Sequence, residues 1–169
     1  MTQNGKEFRS IIPWVSTAAD CIVLSCSDHR FEKQIEELIT HLGFKYPHII
    51  QFPSGPAAAI PLISAFGFLA KAIDKLMEKA MELTHVKTII CVAHEDCGGY
   101  KAGNIKLLDY SVRKLSGKSV QEIQIDHLQK AASRFEKTLH GMEVMAFFAG
   151  VTEEQENKQL VVFKEVPIE

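Results

Sequence analysis

Apolar residues occur along this chain in short unbroken runs, separated by longer stretches where they recur every three or four positions. That alternation is expected of strands feeding helices. The first run, Cys21-Ile22-Val23-Leu24 within segment 20–26, offers no polar position to solvent and predicts a strand buried on both faces, as in a parallel sheet. Over 31–42, Phe31, Ile35, Leu38, Ile39 and Leu42 share one helical face, and Gly43 follows as a stop. A second strand is predicted over 48–52, then a turn at Pro53-Ser54-Gly55-Pro56. A helix over 57–84 follows, with Pro61 in its first turn, and then a third apolar strand over 87–93.

The rest of the chain predicts a helix over 100–115 and another reaching 140, which opens on the capping box Ser119-Val120-Gln121-Glu122. Gly141 ends it, and an apolar strand over 142–150, a polar turn over 151–157 and a last strand over 159–166 follow. A connection that short cannot make a crossover, so the last strand runs antiparallel to its neighbour. The expected fold is α/β, with a mostly parallel central sheet of four strands plus a C-terminal antiparallel strand and helices on both faces. It forms a single domain over 20–169 behind an N-terminal arm of residues 1–19.

Composition narrows the function without naming it. The 169 residues are 46% hydrophobic and 24% charged, as in an ordinary globular domain. Nineteen basic and 21 acidic residues, with no long block of either sign, give no footprint for nucleic acid or an anionic membrane, and favour a small-molecule substrate. The apolar segment 57–70 is too short to span a bilayer, and the first ten residues lack a basic and then apolar leader, so a cytoplasmic location is expected. The four cysteines are then expected to be reduced, which points to metal binding or catalysis rather than disulfides.

Candidate chemistry collects at two strand ends. Cys26-Ser27-Asp28-His29-Arg30 follows the first strand, and His94-Glu95-Asp96-Cys97-Gly98-Gly99 follows the third. Two thiolates and an imidazole form a zinc ligand set, and two cysteines with one histidine and one open position is a set used by catalytic zinc. Ligands in open α/β sheets bind beyond the carboxyl ends of strands, so adjacent first and third strands would bring Cys26, His94 and Cys97 into one crevice. Either motif alone reads as a buried cysteine or a hydrogen-bonded histidine; the pair favours the metal. A thiol redox pair of Cys26 and Cys97 is the weaker alternative, since neither lies in a C-x-x-C motif. Cys21 and Cys91 read as small core residues, and Glu95 and Asp96 as solvated loop acids. His29 reads as a solvated loop histidine, with proton shuttling as its alternative.

Cys26-x-Asp28-x-Arg30 together with His94-x-x-Cys97-Gly98-Gly99-x-Lys101-Ala102 resembles the β-class carbonic anhydrase family, over roughly residues 20–166. The resemblance implies one zinc per chain on Cys26, His94 and Cys97, with Asp28 and Arg30 as a catalytic carboxylate–guanidinium pair. In that family the same aspartate can swing onto zinc as a fourth ligand. It implies a lyase that reversibly hydrates CO2 to bicarbonate through zinc-bound hydroxide, and a homodimer or higher homo-oligomer. Gly98 and Gly55 would line the substrate pocket. Where the family carries arginine-asparagine-small-glycine, this chain has Gln51-Phe52-Pro53-Ser54-Gly55, matching only at the glycine. Two other outcomes therefore stay open: a related hydrolase of carbonyl sulfide or carbon disulfide, and a zinc-binding protein without turnover.

Overall fold

The structure is a computed structural model describing residues 10–61, 67–101, 117–152 and 159–168. Five strands form one sheet: β1 (Cys21–Cys26), β2 (Pro47–Phe52), β3 (Thr88–His94), β4 (Glu143–Val151) and β5 (Val161–Glu165). The helices are α1 (Glu32–His41), α2 (Gly67–Thr84), the short turn α3 (Gly98–Lys101) and α4 (Val120–Thr138). The sheet order is β2-β1-β3-β4-β5, and every pairing is parallel except the last, β4 with β5. This is the mostly parallel α/β sheet with one antiparallel C-terminal strand that the hydrophobic pattern predicts.

Successive strand side chains point to opposite faces, and both faces are filled. Ile22, Leu24, Ile89, Cys91 and Phe148 pack with Ile73 and Met77 of α2 and Leu128 and Phe135 of α4. On the other face, Val23, Ile90, Val92 and Phe147 pack with Ile35, Leu38 and Ile39 of α1. Each large side chain fully buried in this way stabilises the fold by about 1.5–3 kcal/mol. Arg134 of α4 pairs with Asp74 of α2, tying together the two helices on the first face. Cys21 and Cys91 are fully buried in these layers as free thiols, and burial pushes both up to about 12, with Asp20 adding to the effect at Cys21. Neither is available as a ligand or nucleophile.

Segment 57–84 is not one helix. Gly55–Ala59 forms a 3-10 turn entered through Ser54 in the left-handed region (φ 75), and Ile60 is extended. Gly55-Pro56 closes this tight turn against the end of β1, which overrides the helical preference of the three alanines that follow. All five turn residues are buried. Helix α4 starts on the expected capping box: Ser119 accepts from the Glu122 backbone, and the Glu122 carboxylate accepts from the Ser119 backbone. The helix expected over 100–115 and the turn over 151–157 fall mostly outside the described residues. No helix among the described residues is long and apolar enough to cross a membrane.

Candidate metal centre

Strands β1 and β3 are parallel neighbours, with Ile22 opposite Ile89 and Leu24 opposite Cys91, so their carboxyl ends lie side by side. From β1 the chain steps outward to β2, and from β3 it steps the other way to β4, which makes this boundary the place where an open sheet parts to admit a ligand. Cys26 is the last residue of β1 and His94 the last of β3, while Cys97 precedes α3. Their ligand atoms all lie within 4.8 Å of one another, and the three side chains are buried. They form the converging group of metal-binding side chains among the described residues.

The atoms fit a metal. The two sulfurs are 3.5 Å apart, and two thiolates on a tetrahedral zinc at about 2.3 Å each would be separated by about 3.8 Å. The His94 Nδ1–H donates to the Glu95 carbonyl at 2.7 Å, which in a neutral ring leaves the lone pair on Nε2. Among the described residues the buried Nε2 has no hydrogen-bond partner, an arrangement that costs free energy unless something else takes that lone pair. Backbone N–H groups of Asp28 and Ser54 point at the Cys26 sulfur, and that of Gly99 at Cys97, each favouring a thiolate.

Without a metal the trio shares its protons unequally. Cys97 is pushed well below an ordinary thiol, first by the Cys26 S–H that bonds to it and then by His94, against the effect of burial. Cys26 is pushed up by that same hydrogen bond and by burial. Burial alone would lower His94, but the Cys97 sulfur, the Glu95 carbonyl and the Asp28 charge together outweigh it and the net shift is upward. A divalent cation would replace these protons, since thiolate and neutral imidazole are the binding forms.

Asp28 stands outside the trio. It caps the 3-10 turn His29–Phe31 by accepting from the Arg30 backbone at 3.1 Å. Both its carboxylate oxygens face the Arg30 guanidinium, with Nε at 3.0 and 3.1 Å and Nη2 at 2.6 Å. Hydrogen bonds from Arg30 hold this carboxyl down to about 2. Arg30 also reaches across to the β3 loop, donating from Nη1 to the Asp96 carboxylate at 3.1 Å and from Nη2 to the Asp96 carbonyl at 3.2 Å. Asp96 is therefore the exposed loop acid that the sequence predicts and, in addition, an ion-pair partner of Arg30.

The two candidate pocket glycines occupy different settings. A Cβ on Gly55 would meet the Cys26 nitrogen at 3.0 Å and the Val92 carbonyl at 3.2 Å, and its φ is +57, so backbone packing requires a glycine there. A Cβ on Gly98 would meet nothing within 4 Å among the described residues. Gly99 packs against the loop after β2, and a Cβ there would come 2.6 Å from the Ser54 nitrogen. His29 is exposed.

Three contributors escaped the sequence reading. Phe31 lies against the His94 ring, with centroids 4.3 Å apart. Asp96 adopts a left-handed conformation (φ 54), for which a single loop aspartate carries no signal. Gln124, fully buried in α4, donates from Nε2 to the His94 carbonyl at 3.0 Å. Its signal was present: 124, 128, 131 and 135 fall at helical spacing, and Gln124 is the polar member of that buried stripe.

No family model matches the chain. An uncharacterised protein of Rickettsia bellii is 27% identical over 135 residues, covering 79% of this chain and 77% of that protein. Among solved structures, the β-carbonic anhydrase CafA of Aspergillus fumigatus superposes with a TM-score of 0.50 at 14% identity, over 86% of this chain and 76% of its own. One of two tetrameric β-carbonic anhydrases from Sordaria macrospora gives 0.50 at 18% identity, over 79% of this chain and 77% of its own. These likenesses establish a shared fold.

Proposed function

We propose that this chain is a zinc-dependent carbonic anhydrase-like lyase of the cytoplasm, hydrating CO2 reversibly to bicarbonate with one zinc per chain. The observation that carries this reading is the His94 Nε2, buried and without a hydrogen-bond partner among the described residues, beside two sulfurs 3.5 Å apart. Cys26, His94 and Cys97 would hold the metal. When bound there, zinc supplies Lewis acidity that brings the pKa of water to about 7, a value set by three-histidine zinc sites.

The other steps belong to this chain's residues. Asp28, kept ionised by Arg30, can only accept hydrogen bonds, so it takes one from a water in the crevice and orients that water toward an electrophile. Phe31 walls one side of His94 and limits its ring orientations. Gly98, whose Cβ direction meets no described residue, would line the substrate position beside Cys97. Residues 20–169 act as one domain behind the arm 1–19, in a homodimer or higher homo-oligomer. Support for assembly comes from the apolar side chains that the arm leaves exposed, Ile11, Ile12 and Trp14. The Sordaria macrospora relative in fold is described as tetrameric.

Metal analysis with stopped-flow hydration tests the proposal. Wild-type protein should carry one zinc per chain and hydrate CO2 across about pH 6.5 to 9, and Cys97→Ser should carry none. Asp28→Asn should keep zinc but lose roughly 100-fold in hydration rate. Stoichiometric zinc with hydration no faster than background would sink the activity and leave the metal site. A second reading, a hydrolase of carbonyl sulfide or carbon disulfide or a zinc protein without turnover, is favoured by the left-handed Ser54, whose backbone N–H faces the Cys26 sulfur. Carbonyl sulfide in the same assay separates these outcomes.

A further inference from the structure

We propose that Asp96 is a positioning residue that clamps Arg30 onto Asp28, and thereby keeps Asp28 away from the metal position at Cys26, His94 and Cys97. The inference rests on the metal site proposed above and adds to it a residue that sets whether the site is open. Arg30 is about half exposed, at 49%, and Asp28 is its near neighbour in sequence. An arginine so placed has many rotamers, and an exposed ion pair by itself does not hold one of them.

The structure supplies the missing restraint from the other strand end. Arg30 gives Nε and Nη2 to Asp28, Nη1 to the Asp96 carboxylate and Nη2 also to the Asp96 carbonyl. One guanidinium plane is thus fixed by the loop after β1 and the loop after β3. Asp96 adopts φ 54, a region that aspartate tolerates better than most residues, and from there it offers its carboxylate and carbonyl to the same fork.

Asp96 has two opposing effects on Asp28. Its negative charge competes for Arg30 and weakens the hold; its anchoring removes the rotamer freedom that would let Arg30 leave. The carboxylate is half exposed, at 51%, so screening makes the first effect small, and anchoring prevails. Loss of Asp96 should therefore release Arg30 and let Asp28 swing onto the metal as a fourth ligand.

Cobalt(II)-loaded protein titrated with azide reads this directly, because azide needs the position that Asp28 would occupy. Asp96→Gly, which accepts the left-handed backbone but has no carboxylate, should weaken azide binding about tenfold, as expected if only a tenth of the sites remain open. Asp96→Asn keeps an acceptor for Nη1 and should stay within about twofold of wild type. In metal-free protein, solvent exchange of the Arg30 Nε–H by nitrogen-15 NMR should accelerate about tenfold in Asp96→Gly. Azide affinity and exchange both unchanged in Asp96→Gly would overturn the clamp. A wild-type protein that takes up no cobalt would instead overturn the proposed function, and the exchange rate would still decide the clamp.

Discussion

At the scale of single residues, the site depends on atoms that bind nothing themselves. Gln124 holds the carbonyl of His94, and replacing it by leucine would keep the volume but leave that buried oxygen without a donor. Gln124→Leu should cost about 1–3 kcal/mol of unfolding free energy in metal-free protein, measured by denaturant titration. An unchanged midpoint would show that the carbonyl finds another partner. The converging trio was legible in the sequence because thiolate and imidazole carry their chemistry in the residue type, and the Asp28–Arg30 pair was legible only through the resemblance to a known family. Asp96 was not, because its role comes from a backbone conformation and a partner 66 positions away.

At the scale of elements, the strands were readable because burial on both faces removes polar positions from their runs, and all five appear within two residues of their expected bounds. Residues 57–59 continue the turn begun at Gly55 where the sequence predicts helix, because three alanines carry strong helical preference while the contact that prevents a helix lies in another strand. That turn also connects to the metal site. Gly99 lets Ser54 approach closely enough for its backbone N–H to face the Cys26 sulfur. Gly99→Ala should push Ser54 away and weaken zinc affinity about tenfold in competition with a chromophoric chelator, the range seen when residues supporting metal ligands are altered. Equal affinity would mean that the loop shifts without disturbing the sulfur.

At the scale of the whole molecule, the described part of the arm carries the most exposed large apolar side chains among the described residues. Ile11 is 97% exposed and Trp14 90%, on a chain with a single tryptophan. If the proposed assembly covers the arm, Trp14 emission should be blue-shifted at high protein concentration and move to longer wavelength on dilution, in step with the mass from sedimentation. A red-shifted emission at every concentration would leave the arm outside any interface.

The pairing of β1 with β3 also bears on how the chain folds. Cys26 and Cys97 are 71 residues apart, and they meet only when two parallel strands with β2 and α2 between them have found each other. Contacts of such long sequence separation form late, because loop-closure entropy must be overcome before they contribute. Metal capture at the proposed site would therefore be a clock for the pairing of β1 with β3. A zinc indicator followed during refolding would report the moment the central strands register, and the ion would hold that registry against reopening.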